Sequence, residues 1–361
     1  MGTFQVSRLV ILIFAVVLSL VSVPVVKLFA QKFNVWSIID FRRQSKGPVP
    51  LFGGVAIALT FGIGSAICHS SIGIKLFLCA VPFLIISILD DVAELSARLK
   101  LIGQTVSAAL WIAFQQPGSM ILEQLGFDPV VSKVITLIWI LGITNGFNLI
   151  DGMDGIVAGS TVIFAFFLTL MGQPELGPVM ILLAGAMFGF LLYNFPPARI
   201  YLGDSGSTLA GFILSCSCSI MKISFKSRAD LLVPLLLLSL PLLDTFLAAG
   251  RRLLRGKSIF IGDKDHLHHR LQRLGLTDVE CLAIIYAVCF YTGFSAFQMW
   301  SHSNSDKLMI LFLAATPLAG IAGLVYFAEN KISKLAKGER RLMPERRQEL
   351  KIVPDKIKKT G

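Results

Sequence analysis

The sequence predicts an all-α integral membrane protein of about eleven transmembrane helices, with the active site formed by loops on one side of the bilayer. Three observations predict it. Hydrophobic residues make up 55% of the 361 and charged residues only 15%, and the mean hydropathy of +0.75 is too apolar for a soluble fold of this length. Several apolar runs reach the roughly 20 residues that a bilayer core demands, past the length of a strand or buried helix. The net charge of +11 falls in a few loops and the C-terminal tail, which is the asymmetry that orients membrane proteins rather than a groove for nucleic acid.

In chain order, the spans are expected at about 8–30, 51–69, 73–89, 101–116, 131–149, 156–172, 178–195, 208–222, 229–249, 281–300 and 307–327. The first run continues to about Ala30 with no convincing cleavage site before Lys27, so it reads as a span and not a signal peptide. Residues 1–327 form one polytopic domain and 328–361 a basic cytoplasmic tail. Segment 31–50 holds Lys32, Arg42, Arg43 and Lys46, and segment 250–280 holds seven further cations, among them Arg251, Arg252, Arg255 and Arg270. The opposite loops 117–130 and 301–306 hold no Lys or Arg, with Lys226 and Arg228 the main exception. The tail and the loops after spans 1, 3, 5, 7 and 9 are therefore expected to be cytoplasmic.

Four polar clusters fall on that one side: Asp90-Asp91, Asn145 to Asp154, Gly203 to Ser207, and His266 to Arg270. Together they imply one site. Asn145, Asn148, Asp151 and Asp154 repeat three residues apart and would share a helix face, but Gly152 and Gly155 favour a break inside the motif. Such groups are costly beside hydrocarbon unless a cation, a polar ligand or one another satisfies them. Asp154 also has the position of an N-cap for the next span, and Asp204, with Ser205 or Ser207, that of a cap further on. Capping explains one Asp, not three amides and carboxylates one turn apart. A helix start flanked by glycines and hydroxyls also suits phosphate oxygens.

Asp90 and Asp91 sit where span 3 should end, and a helix C-terminus disfavours carboxylates. Pairing with Arg98 or Lys100 is the bland account; a divalent cation, a cationic partner or a proton-transfer role is the preferred one. His266, His268 and His269 lie within four positions but lack the Cys or the H-E-x-x-H pattern of a zinc site, and the bases around them fit an anionic ligand better. A hard-oxygen set of Asp and Asn near those bases suits Mg²⁺ bridging a pyrophosphate, with Mn²⁺ as the alternative. Asp244 interrupts an apolar run and is expected to support the cytoplasmic loop or the site, with Arg251 or Arg252 as its partner. Six scattered Cys read as small hydrophobes. Gly155-x-x-x-Gly159 and Gly185-x-x-x-Gly189 allow close helix approach, within the chain or in a homodimer.

Lys46-Gly47-Pro48-Val49-Pro50-Leu51-Phe52-Gly53-Gly54, Asp90-Asp91, the N-x-x-N-x-x-D-G-x-D-G run, Tyr201-Leu202-Gly203-Asp204-Ser205-Gly206-Ser207 and the His motif occur in that order. Together they resemble the polyprenyl-phosphate N-acetylhexosamine-1-phosphate transferases, glycosyltransferase family 4, from Asp40 to about Leu274. The flanks of His266 to Arg270, the eleventh span and the basic tail are similar to the WecA/TagO-like branch, whose donor is UDP-N-acetylglucosamine. The MraY branch, with its muramoyl-pentapeptide donor, is the alternative. The resemblance implies transfer of a sugar-1-phosphate from a UDP-sugar onto undecaprenyl phosphate, with release of UMP, at the cytoplasmic face of a bacterial inner membrane. By the same resemblance Asn148 and Asp204 hold Mg²⁺, Lys46, Asp151 and Asp154 line the nucleotide and phosphate pocket, and His266, His268, His269 and Arg270 contact the sugar nucleotide. Asp90 or Asp91 would finish or orient deprotonation of the lipid phosphate. A transporter of an anionic solute, the rival from another class, needs its charges near the bilayer midplane rather than at span ends.

Overall fold

The computed structural model describes residues 7–37, 48–93, 95–222, 228–254, 266–302, 306–307, 309–316, 319–320 and 323. Lys46, the 255–265 segment and the basic tail lie outside them. The helices are α1 (Arg8–Lys32), α2 (Gly53–Ile67), α3 (Ser71–Ala93), α4 (Ala97–Ala113), α5 (Ile121–Gln124), α6 (Pro129–Ile150), α7 (Ile156–Leu170), α8 (Leu176–Asn194), α9 (Gly203–Ser219), α10 (Leu232–Leu237), α11 (Ser239–Leu254), α12 (Leu267–Arg273) and α13 (Asp278–Ser301). Described residues between 306 and 316 are helical too. Among the described residues there is no strand, only an isolated bridge pairing Trp36 with Pro50.

Five helices, α1, α3, α6, α8 and α13, are long and apolar enough to cross a membrane, and a bent pair makes a sixth. Their outer faces remain apolar: Leu9, Val10, Ile13, Val17 and Val21 of α1 are all exposed, the pattern of a surface that meets lipid. Four more of the expected spans fall on shorter helices, with 15 residues in α2 and α7 and 17 in α4 and α9, and the span expected at 307–327 lies partly outside the described residues. Among them α9 is central, buried from Ser205 through Ser219. It lies against α2, α3 and α6. Because it faces protein on all sides it carries Ser, Gly and Cys where a lipid-facing helix carries Leu and Ile. Trp111 and Trp139 donate to Ser219 Oγ and the Ser215 carbonyl, both at 3.1 Å, so each polar tip is satisfied inside the bundle.

Small residues set the close contacts. A Cβ on Gly185 would lie 2.6 Å from Ala15 Cβ, and one on Gly189 the same distance from Ser19 Cβ, so this GxxxG face packs α8 on α1. Gly159 of the other motif lies under the Tyr286 ring. All six cysteines are free, five of them buried.

Two differences from the expected spans bear on the site. The helix expected at 208–222 starts at Gly203 and ends at Ser219, because polar partners from other helices sustain its first turn. The single span expected at 229–249 is two helices bent by 83° on either side of Leu238. Pro241 supplies the reason. It has no N–H to continue the ladder from α10, but it fits the first turn of a new helix.

Candidate active site

The site forms where the C-terminal ends of α3 and α6 meet the N-terminal ends of α2, α4 and α9. The backbone of 50–54 runs beside 201–202: Tyr201 N donates to the Pro50 carbonyl (2.9 Å), Gly53 N to Tyr201 O (2.9 Å) and Gly54 N to Leu202 O (2.8 Å). A Cβ on Gly54 would sit 2.2 Å from Gly206 N, so only glycine lets these two helix starts touch. The Pro48 to Gly54 motif and the Tyr201 to Ser207 motif are thus one structural unit.

Asp90 and Asp91 lie in the last turn of α3, where the helix field disfavours them. Other helices compensate. Asp90 accepts from Leu95 N (2.7 Å) and pairs with the Lys100 ammonium (2.5 Å). Asp91 accepts from Asp204 N (3.2 Å) and Ser205 Oγ (3.0 Å), and so caps α9 from another element. Gly203 makes room for it: its φ is +73°, and a Cβ would come 2.8 Å from Asp91 Oδ2. The expected capping by Asp204 is corrected accordingly. Asp204 sits inside the first turn of α9 and directs its own carboxylate to Lys100 Nζ (2.8 Å) and Asn148 Nδ2 (3.5 Å). Ser207 Oγ donates to Asn148 Oδ1 (3.1 Å). Lys100 therefore bridges Asp90 and Asp204, with Asn148 beside them.

The stretch Asn145 to Gly155 distributes its polar groups among several neighbours. Helix α6 ends at Ile150 with Asp151 as its C-cap, the break expected within the motif. Asn145 donates to Gln104 Oε1 (2.8 Å). Gly146 lies against Pro241 and Thr245 of α11. Gly152 lies under the His268 ring, where a Cβ would be 2.2 Å from Nε2. Asp154 does not cap α7, another correction: the N-cap is Gly155 at φ +79°, and Asp154 Oδ2 accepts instead from Ala198 N (3.0 Å). Asn194 bridges the same corner, accepting from Gly155 N and donating to the Ile200 carbonyl, both at 2.9 Å.

The His motif forms α12 and its start. His266 Nδ1 lies 2.6 Å from Asp244 Oδ2, and Leu267 N donates to Asp244 Oδ1 (2.9 Å). Asp244 is thus held by the His motif, and the side chain of Arg251, one of its two expected partners, lies outside the description. The rings of His266 and His268 are parallel with centroids 6.0 Å apart, and those of His268 and His269 are 4.1 Å apart. His269 Nδ1 meets Gln272 Oε1 at 3.2 Å.

The geometry joins Asp91, Asn148 and Asp204 directly and Asp90 through Lys100, and links Asp151 to the imidazoles through the neighbouring Gly152. Lys46 lies outside the described residues. Sequence reasoning gave Lys100 only as a neutralising partner and did not mark Gln104 or Asn194. A lone Lys opening one apolar run and a lone Asn closing another were the available signals.

The fold and site define a multi-pass membrane protein whose charged groups converge at helix ends on one face. Residues 74–222 match the profile of glycosyl transferase family 4. The chain is 30% identical over 358 residues to the probable undecaprenyl-phosphate N-acetylglucosaminyl 1-phosphate transferase of Bacillus subtilis, covering 93% of this chain and 98% of that one. It is 30% identical over 257 residues to the undecaprenyl-phosphate alpha-N-acetylglucosaminyl 1-phosphate transferase of Thermotoga maritima (71% and 79% covered). With the Escherichia coli K12 protein of that same name it shares 29% over 317 residues (81% and 84%). The chain belongs to glycosyl transferase family 4.

Proposed function

We propose that the protein transfers N-acetylglucosamine-1-phosphate from UDP-N-acetylglucosamine, or a related UDP-N-acetylhexosamine, to undecaprenyl phosphate, releasing UMP. The reaction would take place at the cytoplasmic face of a bacterial inner membrane spanned about eleven times, as the first membrane step of an envelope polysaccharide. The observation that carries this reading is the convergence of Asp90, Asp91, Lys100, Asn148 and Asp204 at one set of helix ends. The names of the relatives supply the transferred group and the lipid acceptor.

The donor set fits Mg²⁺. Three carboxylates, Asp90, Asp91 and Asp204, face one described ammonium, Lys100, and Asn148 adds an amide oxygen. Among the described residues no group of three His, Cys, Asp or Glu forms a ready cage, and Mg²⁺ needs none, since one or two carboxylates and substrate phosphates suffice. Asp204 and Asn148 would hold it; when bound, it polarises the pyrophosphate and offsets charge on the departing UMP.

In the reaction a lipid-phosphate oxygen forms a bond to the donor's β-phosphorus as the bond from that phosphorus to the UMP oxygen breaks. A phosphate monoester with a second pKa near 6 is largely dianionic at neutral pH, so little proton removal is needed. Asp90 orients the nucleophile and takes any residual proton, and Lys100 beside it meets phosphate charge. Asp91, with both oxygens bonded to the start of α9, keeps Asp204 in place. Asp151 and Asp154 serve the nucleotide and phosphate pocket, the family resemblance assigns Lys46 to the same ligand, and the imidazoles with Arg270 meet the sugar nucleotide. Purified protein given UDP-N-acetylglucosamine, undecaprenyl phosphate and Mg²⁺ is expected to release one UMP per lipid product. Absence of UMP with every UDP-N-acetylhexosamine would overturn the proposal.

A further inference from the structure

Asp244 is 4% exposed and lies in α11, beyond the bend that Pro241 imposes. A carboxylate buried in an apolar helix is costly unless its oxygens are bonded. Both are bonded, and both bonds go to the start of the His motif: Oδ2 to His266 Nδ1 (2.6 Å) and Oδ1 to Leu267 N (2.9 Å). Leu267 is the first residue of α12, and the N-cap His266 makes no side-chain capping bond. Asp244 therefore satisfies an amide that would otherwise be orphaned at that helix start. An imidazole whose Nδ1 faces a carboxylate keeps its proton there, so the ring orientation is fixed and Nε2 is the nitrogen left for a ligand. No described residue bonds that Nε2.

The rest of the motif is aligned from this point. His266 is 6% and His268 1% exposed, their rings are parallel within 4°, and His268 is seated on Gly152 beside Asp151. Helix α11 is itself fixed to α6, since Pro241 and Thr245 pack on Gly146. One carboxylate thus joins the broken span, α12 and the end of α6.

We infer that Asp244 is the positioning residue of the donor site, fixing the face of His266 and the start of α12 so that the His266 to Arg270 motif is preformed for the sugar nucleotide. This deepens the proposed transferase reading and rests on it. Asp244 acts through His266 and contacts no substrate.

The test uses the full-length protein in detergent with Asp244→Asn, Asp244→Glu, Asp244→Ala, His266→Gln and the Asp244→Asn/His266→Gln double variant. Hydrogen exchange of α12 peptides requires no turnover. It is expected to speed up about tenfold in Asp244→Ala, with Asp244→Asn intermediate, because the protecting acceptor is lost or weakened. In the UMP assay Asp244→Asn is expected to raise KM for UDP-N-acetylglucosamine about tenfold with a smaller change in kcat, and Asp244→Glu to recover part of it. Added to His266→Gln, Asp244→Asn should change KM by less than about twofold, since the two side chains act as one unit. If Asp244→Ala does not fold, Asp244→Asn carries the same comparison. Unchanged α12 exchange, or fully additive effects of the two substitutions, would overturn the positioning role. If wild-type protein releases no UMP with any UDP-N-acetylhexosamine, the transferase reading fails, while the exchange result still decides whether Asp244 holds α12.

Discussion

Asp204 is the residue where the contacts of the site cross. Its amide donates to Asp91, its carboxylate meets Lys100 and Asn148, and its carbonyl accepts from Thr208 Oγ1. Replacing the carboxylate by an amide keeps the shape and the backbone bonds but removes the charge that a divalent cation requires. Asp204→Asn is therefore expected to lower Mg²⁺-dependent transfer at least about a hundredfold while the thermal unfolding midpoint stays within a few degrees. Near-normal turnover at limiting Mg²⁺ would contradict the metal role. At this scale the sequence was partly legible. Costly carboxylates and amides in apolar surroundings identified Asp90, Asp91, Asn148, Asp204 and Asp244 as residues needing partners. It did not show which partners, because a capping position in the chain says nothing about a carboxylate arriving from elsewhere. Asp91 takes the capping role at α9 for which Asp204 has the position, and His266 is the partner that Asp244 meets.

Among the elements, α9 and its contact with α2 determine whether the site assembles. The approach of Gly54 to Gly206 leaves no space for even one methyl, and the atom in the way is backbone. Gly54→Ala is expected to destabilise the fold by roughly 1–3 kcal/mol through overpacking, and to reduce activity further by moving Asp204 away from Lys100. A thermal-shift measurement checks the first and the UMP assay the second; an unchanged midpoint with full activity would contradict the close contact. The long lipid-facing helices were legible because run length and hydropathy report a bilayer directly. The start of α9 was not, because Gly203 to Ser207 is polar by composition and helical only through what surrounds it. The bend at Leu238 was hidden for the opposite reason, since apolar residues continue through it and only Pro241 marks the break.

For the whole molecule, the helices bring to one face residues separated by more than a hundred positions in the chain, as the Lys100 and Asp204 pair does. That convergence supports an enzyme at a membrane surface and not a pathway through the bilayer, and family membership gives the chemistry its class. The central claim is that the transferred group is the sugar together with its phosphate. The most direct test places a radiolabel in the β-phosphate of UDP-N-acetylglucosamine and supplies undecaprenyl phosphate and Mg²⁺ to the purified protein. The account predicts that the label moves into the organic-extractable lipid while unlabelled UMP appears in the aqueous phase. Label remaining in the aqueous phase as UDP, with sugar alone on the lipid or nowhere, would contradict it.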